Sequence, residues 1–184
     1  VAAGALRPKA AAAEGRHLIL SASGFYLSFN NTGVYRRNFS AADMGLWGDA
    51  AYPLSQHFYV KGAAAFGFAS DFQLFAGGFV YYFKTPGSFR TETNEQVNII
   101  TFAKWRPSLE ALVGVNRTQT EVLISNRANR VNEDYYGGVL KGNLTYSWTP
   151  LWEGQVSAFG GSSGGNSASV FYYGLTAGIS FSIN

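Results

Sequence analysis

The chain has no cysteine in its 184 residues, which excludes disulfides and thiolate metal sites. Charge is scarce as well: Asp, Glu, Lys and Arg make up 14% of the residues, against about 25% in ordinary soluble domains. A soluble domain of this size needs a charged coat, and here there is little to make one from. No stretch approaches the roughly 18 consecutive apolar residues that a membrane helix requires. Only two histidines are present, thin ground for a metal site or a hydrolytic triad. The cations are scattered, with Arg36 and Arg37 the densest pair, and the net charge is +3. Nothing in that distribution points to nucleic acid as a partner. No P-loop, dinucleotide fingerprint or zinc signature occurs, so no cofactor is expected.

What the chain has instead is glycine (22 residues) and aromatic rings (15 Phe, 11 Tyr and 4 Trp). Its dominant pattern is alternation. Across residues 171–184 one face carries Phe171, Tyr173, Leu175, Ala177, Ile179, Phe181 and Ile183, while Tyr172, Gly174, Thr176, Gly178, Ser180 and Ser182 fall on the other. Period-2 alternation of that length is a strand and no helix. It also exceeds the five or six residues usual in globular strands. Tyr136, Leu140, Leu144, Tyr146 and Trp148 repeat the pattern against Lys141, Asn143, Thr145 and Ser147, as do Met44, Leu46, Ala50 and Tyr52 against Asp43 and Asp49.

About nine strand-like segments emerge after residue 16, including 72–84, 96–106 and 109–116. Pro53, Pro107 and Pro150 are expected to begin short reversals. Longer polar loops are expected over 30–40, 125–134 and 160–169. Residues 1–16, rich in alanine, read as an N-terminal linker or plug segment, with a single β-domain over 17–184. An odd count does not fit a closed up-and-down barrel, so either one segment does not span or a tenth is hidden. The regions to search are 85–94 and the slip of phase near Thr118.

Alternation alone does not say which face is buried. The polar face holds Ser, Thr, Asn, Gln and Gly with few long charges, which suits a crowded wet lumen better than a soluble exterior. Tyr52 with Phe58, Trp105, and Trp148 with Trp152 stand beside turns, where amphipathic rings fit a lipid–water boundary. These five form the candidate membrane-interface belt. A membrane protein without apolar helices must close its backbone hydrogen bonds in a barrel. The fold expected is therefore an all-β, antiparallel, up-and-down transmembrane barrel of eight or ten strands. A soluble ligand-binding β-barrel, with the apolar face inward, is the competing reading.

On these strands, belts and aromatic-rich last strand, the chain resembles the small bacterial outer-membrane β-barrel proteins, the OmpA/OmpX-like or porin-like group. It departs from them at the end, where Ser182, Ile183 and Asn184 follow Phe181. The resemblance implies a bacterial outer-membrane location. The partners it implies are outer-membrane lipids, lipopolysaccharide included, and other protein chains of a complex.

If the apolar face is outside, then Asp43, Asp49, Lys61, Lys104, Glu110, Lys141 and Glu153 are candidate lumen-lining residues. Charges in a narrow lumen must be paired or hydrated. A plugging network of acid–base pairs is the expected outcome, with a selective pore as its alternative. The function expected is that of a non-enzymatic structural, adhesive or assembly-associated barrel, with a narrow channel as a variant. The alternatives are a porin-type or polymer-export pore, and a barrel-embedded lipid-modifying enzyme using His57 beside Ser55. No catalytic or metal-binding residue is assigned.

Overall fold

The computed structural model describes residues 18–33, 39–84, 89–94, 97–102, 104–124, 127–149, 151–165 and 168–183. Residues 1–16, read from sequence as a linker or plug, lie outside them. The described chain forms ten strands: β1 (Leu18–Gly33), β2 (Phe39–Pro53), β3 (Phe58–Gly67), β4 (Gln73–Tyr82), β5 (Phe89–Asn94), β6 (Val97–Phe102), β7 (Trp105–Ile124), β8 (Arg127–Ser147), β9 (Trp152–Gly164) and β10 (Ala168–Ile183). Eight of them close a barrel in which β1 pairs with β2 on one side and with β10 on the other. The other two, β5 and β6, pair only with each other.

Register defines the barrel's proportions. Following directly paired residues from Leu20 through Ala50, Gly62, Gly77, Val113, Gly138, Ser162 and Phe171 returns to Asn30, ten residues farther along β1. A stagger of ten residues at ~3.3 Å each, over eight strands ~4.8 Å apart, tilts the strands by roughly 40°. Barrels of this size have interiors that side chains can fill.

One end of the barrel carries the start of β1, the end of β10 and two tight turns. These turns use the same device. Leu54 and Ser55 donate their N–H groups to the Phe58 carbonyl, and the Ser55 hydroxyl accepts from the Phe58 N–H at 3.1 Å. Trp148 and Thr149 donate to the Trp152 carbonyl, and Thr149 Oγ1 accepts from the Trp152 N–H at 3.0 Å. A hydroxyl bonding its own backbone in this way is the turn chemistry of Ser and Thr. The third connection at this end, residues 83–104, contains the β5–β6 hairpin.

The structure corrects several sequence expectations. Residues 96–106 are no spanning strand: they hold β6 and the first two residues of β7. Pro107 begins no reversal, because it lies inside β7, opposite Leu144 of β8. The β4 ladder ends at Ser108, so the missing proline N–H costs no hydrogen bond on that side. The expected loops at 125–134 and 160–169 are mostly strand, and β7 runs straight through Thr118.

At the far end, β7 and β8 outrun their neighbours. β4 pairs with β7 only as far as Arg117, and β9 pairs with β8 only from Tyr136 onward. Beyond those points the two strands continue as a two-stranded ribbon to Ile124 and Arg127.

Candidate functional site

Burial settles which face is inside. Tyr26, Leu46, Phe75, Val113, Leu140 and Leu175 all point outward and are more than half exposed, whereas Asp49, Lys61, Glu110, Lys141 and Glu153 are buried. The competing reading of a soluble barrel, apolar face inward, is overturned. No helix among the described residues is long and apolar enough to cross a membrane, so the apolar exterior is built from strands alone.

The exterior carries two aromatic girdles. The five belt residues, Tyr52, Phe58, Trp105, Trp148 and Trp152, are all exposed, at the end that holds the start of β1 and the end of β10. They are braced by neighbouring rings: Phe58 against Tyr81 at 5.0 Å, Trp105 against Tyr146 at 4.7 Å and Trp152 against Phe181 at 4.7 Å. Tyr26, Phe66, Phe75, Tyr136, Phe171 and Tyr173 form the second girdle toward the far end. Along β10, Phe181 and Phe171 are ten residues apart, about 25 Å at this tilt. That matches the height of the lipid-facing band of outer-membrane barrels.

The lumen is layered. Nearest the termini, the Arg106 guanidinium pairs with Glu153, which also accepts from the Ser147 hydroxyl at 3.0 Å. Ile19, Ala51, Tyr59, Val80 and Tyr82 pack at the same level. Above it lies a charged layer centred on Lys61, whose ammonium is 2.5 Å from Glu110 and 3.0 Å from Asp49. Asn143 donates to Glu110 at 2.7 Å, and Trp47 Nε1 donates to Asp49 at 3.1 Å. Lys141 sits 3.9 Å from the second oxygen of Asp49. Two acids and two ammonium groups therefore share one buried cluster, and their charges balance. Gln155 extends the layer, donating to Ser23 and accepting from Ser180.

The third layer, toward the far end, is mainly apolar, with Asn116 donating to the Ser163 hydroxyl at 3.0 Å beside it. Phe25, Trp47, Phe72, Leu112, Phe159 and Tyr172 form one buried cluster that fills the barrel. Trp47 packs on Phe159 at 5.5 Å, and Phe72 lies 6.0 Å from both Phe25 and Tyr172. Glycine makes room for these rings. Tyr172 is directly paired with Gly161 and Phe159 with Gly174. A Cβ on Gly174 would stand 2.7 Å from Phe159 Cζ, and one on Gly161 would strike the Tyr172 ring. Each strand thus lays a ring across the other's glycine.

Of the seven residues expected to line the lumen, Asp49, Lys61, Glu110, Lys141 and Glu153 meet in these layers. Asp43 is buried too, but apart from them. Its carboxylate accepts the N–H groups of Phe68, Ala69 and Ser70 and the Ser70 hydroxyl, which ties down the β3–β4 loop. Within that loop Asp71 has a φ of 51°. Lys104 corrects the expectation, since it is exposed in the turn before β7. The alternation that placed it belonged to the wrong strand. Arg106 was missed for the same reason. The inward Trp47 was legible, lying two residues from Asp49 on the same face.

The Ser55–His57 pairing also dissolves. His57 Nδ1 donates to the Tyr82 carbonyl at 2.8 Å, and the Ser55 hydroxyl is taken by turn amides. No cluster of His, Asp and Glu fit for a metal occurs among the described residues.

A closed eight-stranded antiparallel barrel with two aromatic girdles and a filled polar–apolar lumen has the fold of the small outer-membrane barrels, the OmpA/OmpX-like group. Two solved structures make the likeness specific. The chain is similar to Neisserial surface protein A (NspA), with a TM-score of 0.52 at 15% identity over 88% of this chain and 96% of that one. It is similar to Ail, the attachment invasion locus protein of Yersinia pestis, with a TM-score of 0.52 at 15% identity over 89% and 98%. At such identity the likeness is one of fold. No protein-family model and no curated protein matches the chain.

Proposed function

We propose that the chain is a bacterial outer-membrane protein whose barrel is a closed anchor, with structural or adhesive work done by the β7–β8 ribbon beyond the far girdle. The observation that carries this reading is the obstructed lumen. An ion travelling along the axis would meet the Arg106–Glu153 pair, then the Asp49–Lys61–Glu110–Lys141 cluster, then a full layer of rings. The rings of the last layer replace little of a hydration shell, whose loss costs an ion several kcal/mol or more. The filled interior counts against the porin-type alternative, and the commitments of His57 and Ser55 count against the lipid-modifying one.

The apolar band supports lipid, lipopolysaccharide included, as the surrounding partner. Short turns belong on the periplasmic side of such barrels, which supports reading the ribbon at the opposite end as extracellular. The names of the two similar proteins, a surface protein and an attachment invasion locus protein, lie in the same direction as the adhesive reading.

Planar-bilayer recording tests it. The refolded chain should insert without discrete conductance steps. Regular openings in the wild-type protein would overturn the closed-anchor reading.

A further inference from the structure

One ring of the third lumen layer differs from its neighbours in origin. Alone among the described residues of that cluster, Phe72 lies outside a strand, between Gly67 at the end of β3 and Gln73 at the start of β4. Its side chain is nevertheless only 1% exposed, and its ring meets Phe25 and Tyr172 edge-on.

The wall rings are seated without it. Phe25, Phe159 and Tyr172 are each paired directly with a glycine of the neighbouring strand: Gly45, Gly174 and Gly161. A Cβ on Gly45 would stand 2.7 Å from Phe25 Cζ, the same separation that holds for Gly174 and Phe159. Each ring therefore lies against the wall, in a place fixed by the barrel ladder and not by the loop. Together they enclose a ring-lined cup, and the Phe72 ring fills it.

The loop is fastened separately from the cup. Three successive amides, those of Phe68, Ala69 and Ser70, and the Ser70 hydroxyl all donate to the Asp43 carboxylate. One side chain thus gathers four of the loop's donors. A Cβ on Gly67 would strike that carboxylate and stand 3.1 Å from Phe72 Cβ, so latch and ring meet at this glycine. Asp71, just before the ring, has the left-handed φ that Asp adopts more readily than most residues.

The chemistry of the cup selects its ligand. Aromatic walls offer faces and edges to another ring. The charges of the layer beneath are already balanced, so an ionic ligand would lose its hydration without gaining a partner. Asn116 lies directly opposite Leu74, two residues after Phe72, and is 1% exposed. Its amide donates to Ser163, while its carbonyl oxygen has no hydrogen-bond partner. A buried acceptor left in this way favours a ligand that brings a donor.

We propose that this cup is a binding site for a neutral, single-ring aromatic molecule carrying a hydroxyl. Phe72 is its resident self-ligand, and the β3–β4 loop is a lid latched by Asp43. When the lid lifts, the phenol takes the place of the Phe72 ring while the charged layers below stay shut. The proposal rests on the closed-anchor reading, because it makes the rings a blind seat.

The test uses p-cresol, toluene and benzoate on the chain in lipid nanodiscs, with nitrogen-15 in its tryptophans. The Trp47 indole N–H, identified by its loss in Trp47→Phe, reports on the cup through the contact of Trp47 with Phe159. The three girdle indoles report probe dissolved in lipid. p-Cresol should shift the Trp47 resonance saturably and the girdle resonances only in proportion to concentration. Phe72→Ala, which removes the competing ring, should bind it at least about tenfold more tightly. Asp43→Asn, which weakens the latch and leaves the cup intact, should bind it severalfold more tightly. Toluene should bind more weakly than p-cresol, and benzoate should leave Trp47 unmoved. Heat-modifiable migration on detergent gels shows that each variant is folded. A wild-type or folded Phe72→Ala chain without a saturable Trp47 shift would overturn the proposal. So would Asp43→Asn binding no better than wild type, toluene matching p-cresol, or benzoate binding as well as either. These failures in a chain that gives no conductance steps sink the site alone, whereas regular openings sink the closed anchor whatever Trp47 reports.

Discussion

The Lys141 ammonium stands 4.6 Å from the centroid of the Trp47 ring. This pair joins the two halves of the lumen, because the indole belongs to the apolar layer and the ammonium to the charged one. The indole N–H reaches the same Asp49 carboxylate that Lys61 and Lys141 flank. Trp47 therefore contributes packing to one layer, and both a donor and a cation-binding face to the other.

Trp47→Ala should cost the folded barrel about 3–5 kcal/mol, the usual loss for a large buried ring. Urea titration in phospholipid vesicles would measure it. Trp47→Phe keeps most of the packing but deletes the donor to the buried Asp49 carboxylate, and should cost about 1.5–3 kcal/mol. Equal losses from both variants would mean that the ring's packing contributes little.

Lys61→Met leaves Asp49 and Glu110 facing each other with Lys141 as the remaining cation. Removing one partner of a buried ion cluster typically costs about 3 kcal/mol, whereas replacing a whole pair is often close to neutral. The double variant Lys61→Met/Glu110→Gln should thus recover most of the loss in the same titration. A double variant less stable than Lys61→Met would contradict this arrangement of charges.

Gly161→Ala places a methyl group against the Tyr172 ring, which then has to move. Overpacking of this kind costs about 1–3 kcal/mol. Tyr172→Ala in the same chain should restore no more than part of the stability, because it removes the ring that fills the layer. Refolding yield and unfolding midpoint would report both effects.

Three of the four tryptophans stand in the girdle near the termini, and the fourth faces the lumen. Phospholipids brominated high on the acyl chain should quench Trp105, Trp148 and Trp152 more strongly than those brominated near the chain end. A protein retaining only Trp47 should show little quenching from either lipid. Strong quenching of Trp47 would place that ring outside.

The barrel was legible wherever one face of a strand meets lipid and the other a packed lumen, as in β10 from Phe171 to Ile183. There the contrast between faces is forced at every residue. Legibility failed where that contrast is not forced. Residues 160–164 read as polar loop because their glycines and serines are small to leave room for the rings of β10, and 127–134 because a ribbon beyond the barrel wall has no face that must be apolar. The β5–β6 hairpin failed for the opposite reason: its residues are strand-like but belong to no wall of the barrel, so one of the nine counted segments did not span. Asp43 was placed on the correct face, yet its partners, the amides of Phe68 to Ser70, come from a loop that carries no pattern.

Closure pairs the first strand with the last, from Leu18 against Ile183 to Gly33 against Ala168. Those contacts span nearly the whole chain, and contacts of such separation form slowly. Until β10 arrives, β1 has an open edge that lipid cannot satisfy. The wall of the barrel therefore shuts only with β10, the sixteen-residue strand that gives β1 its second neighbour.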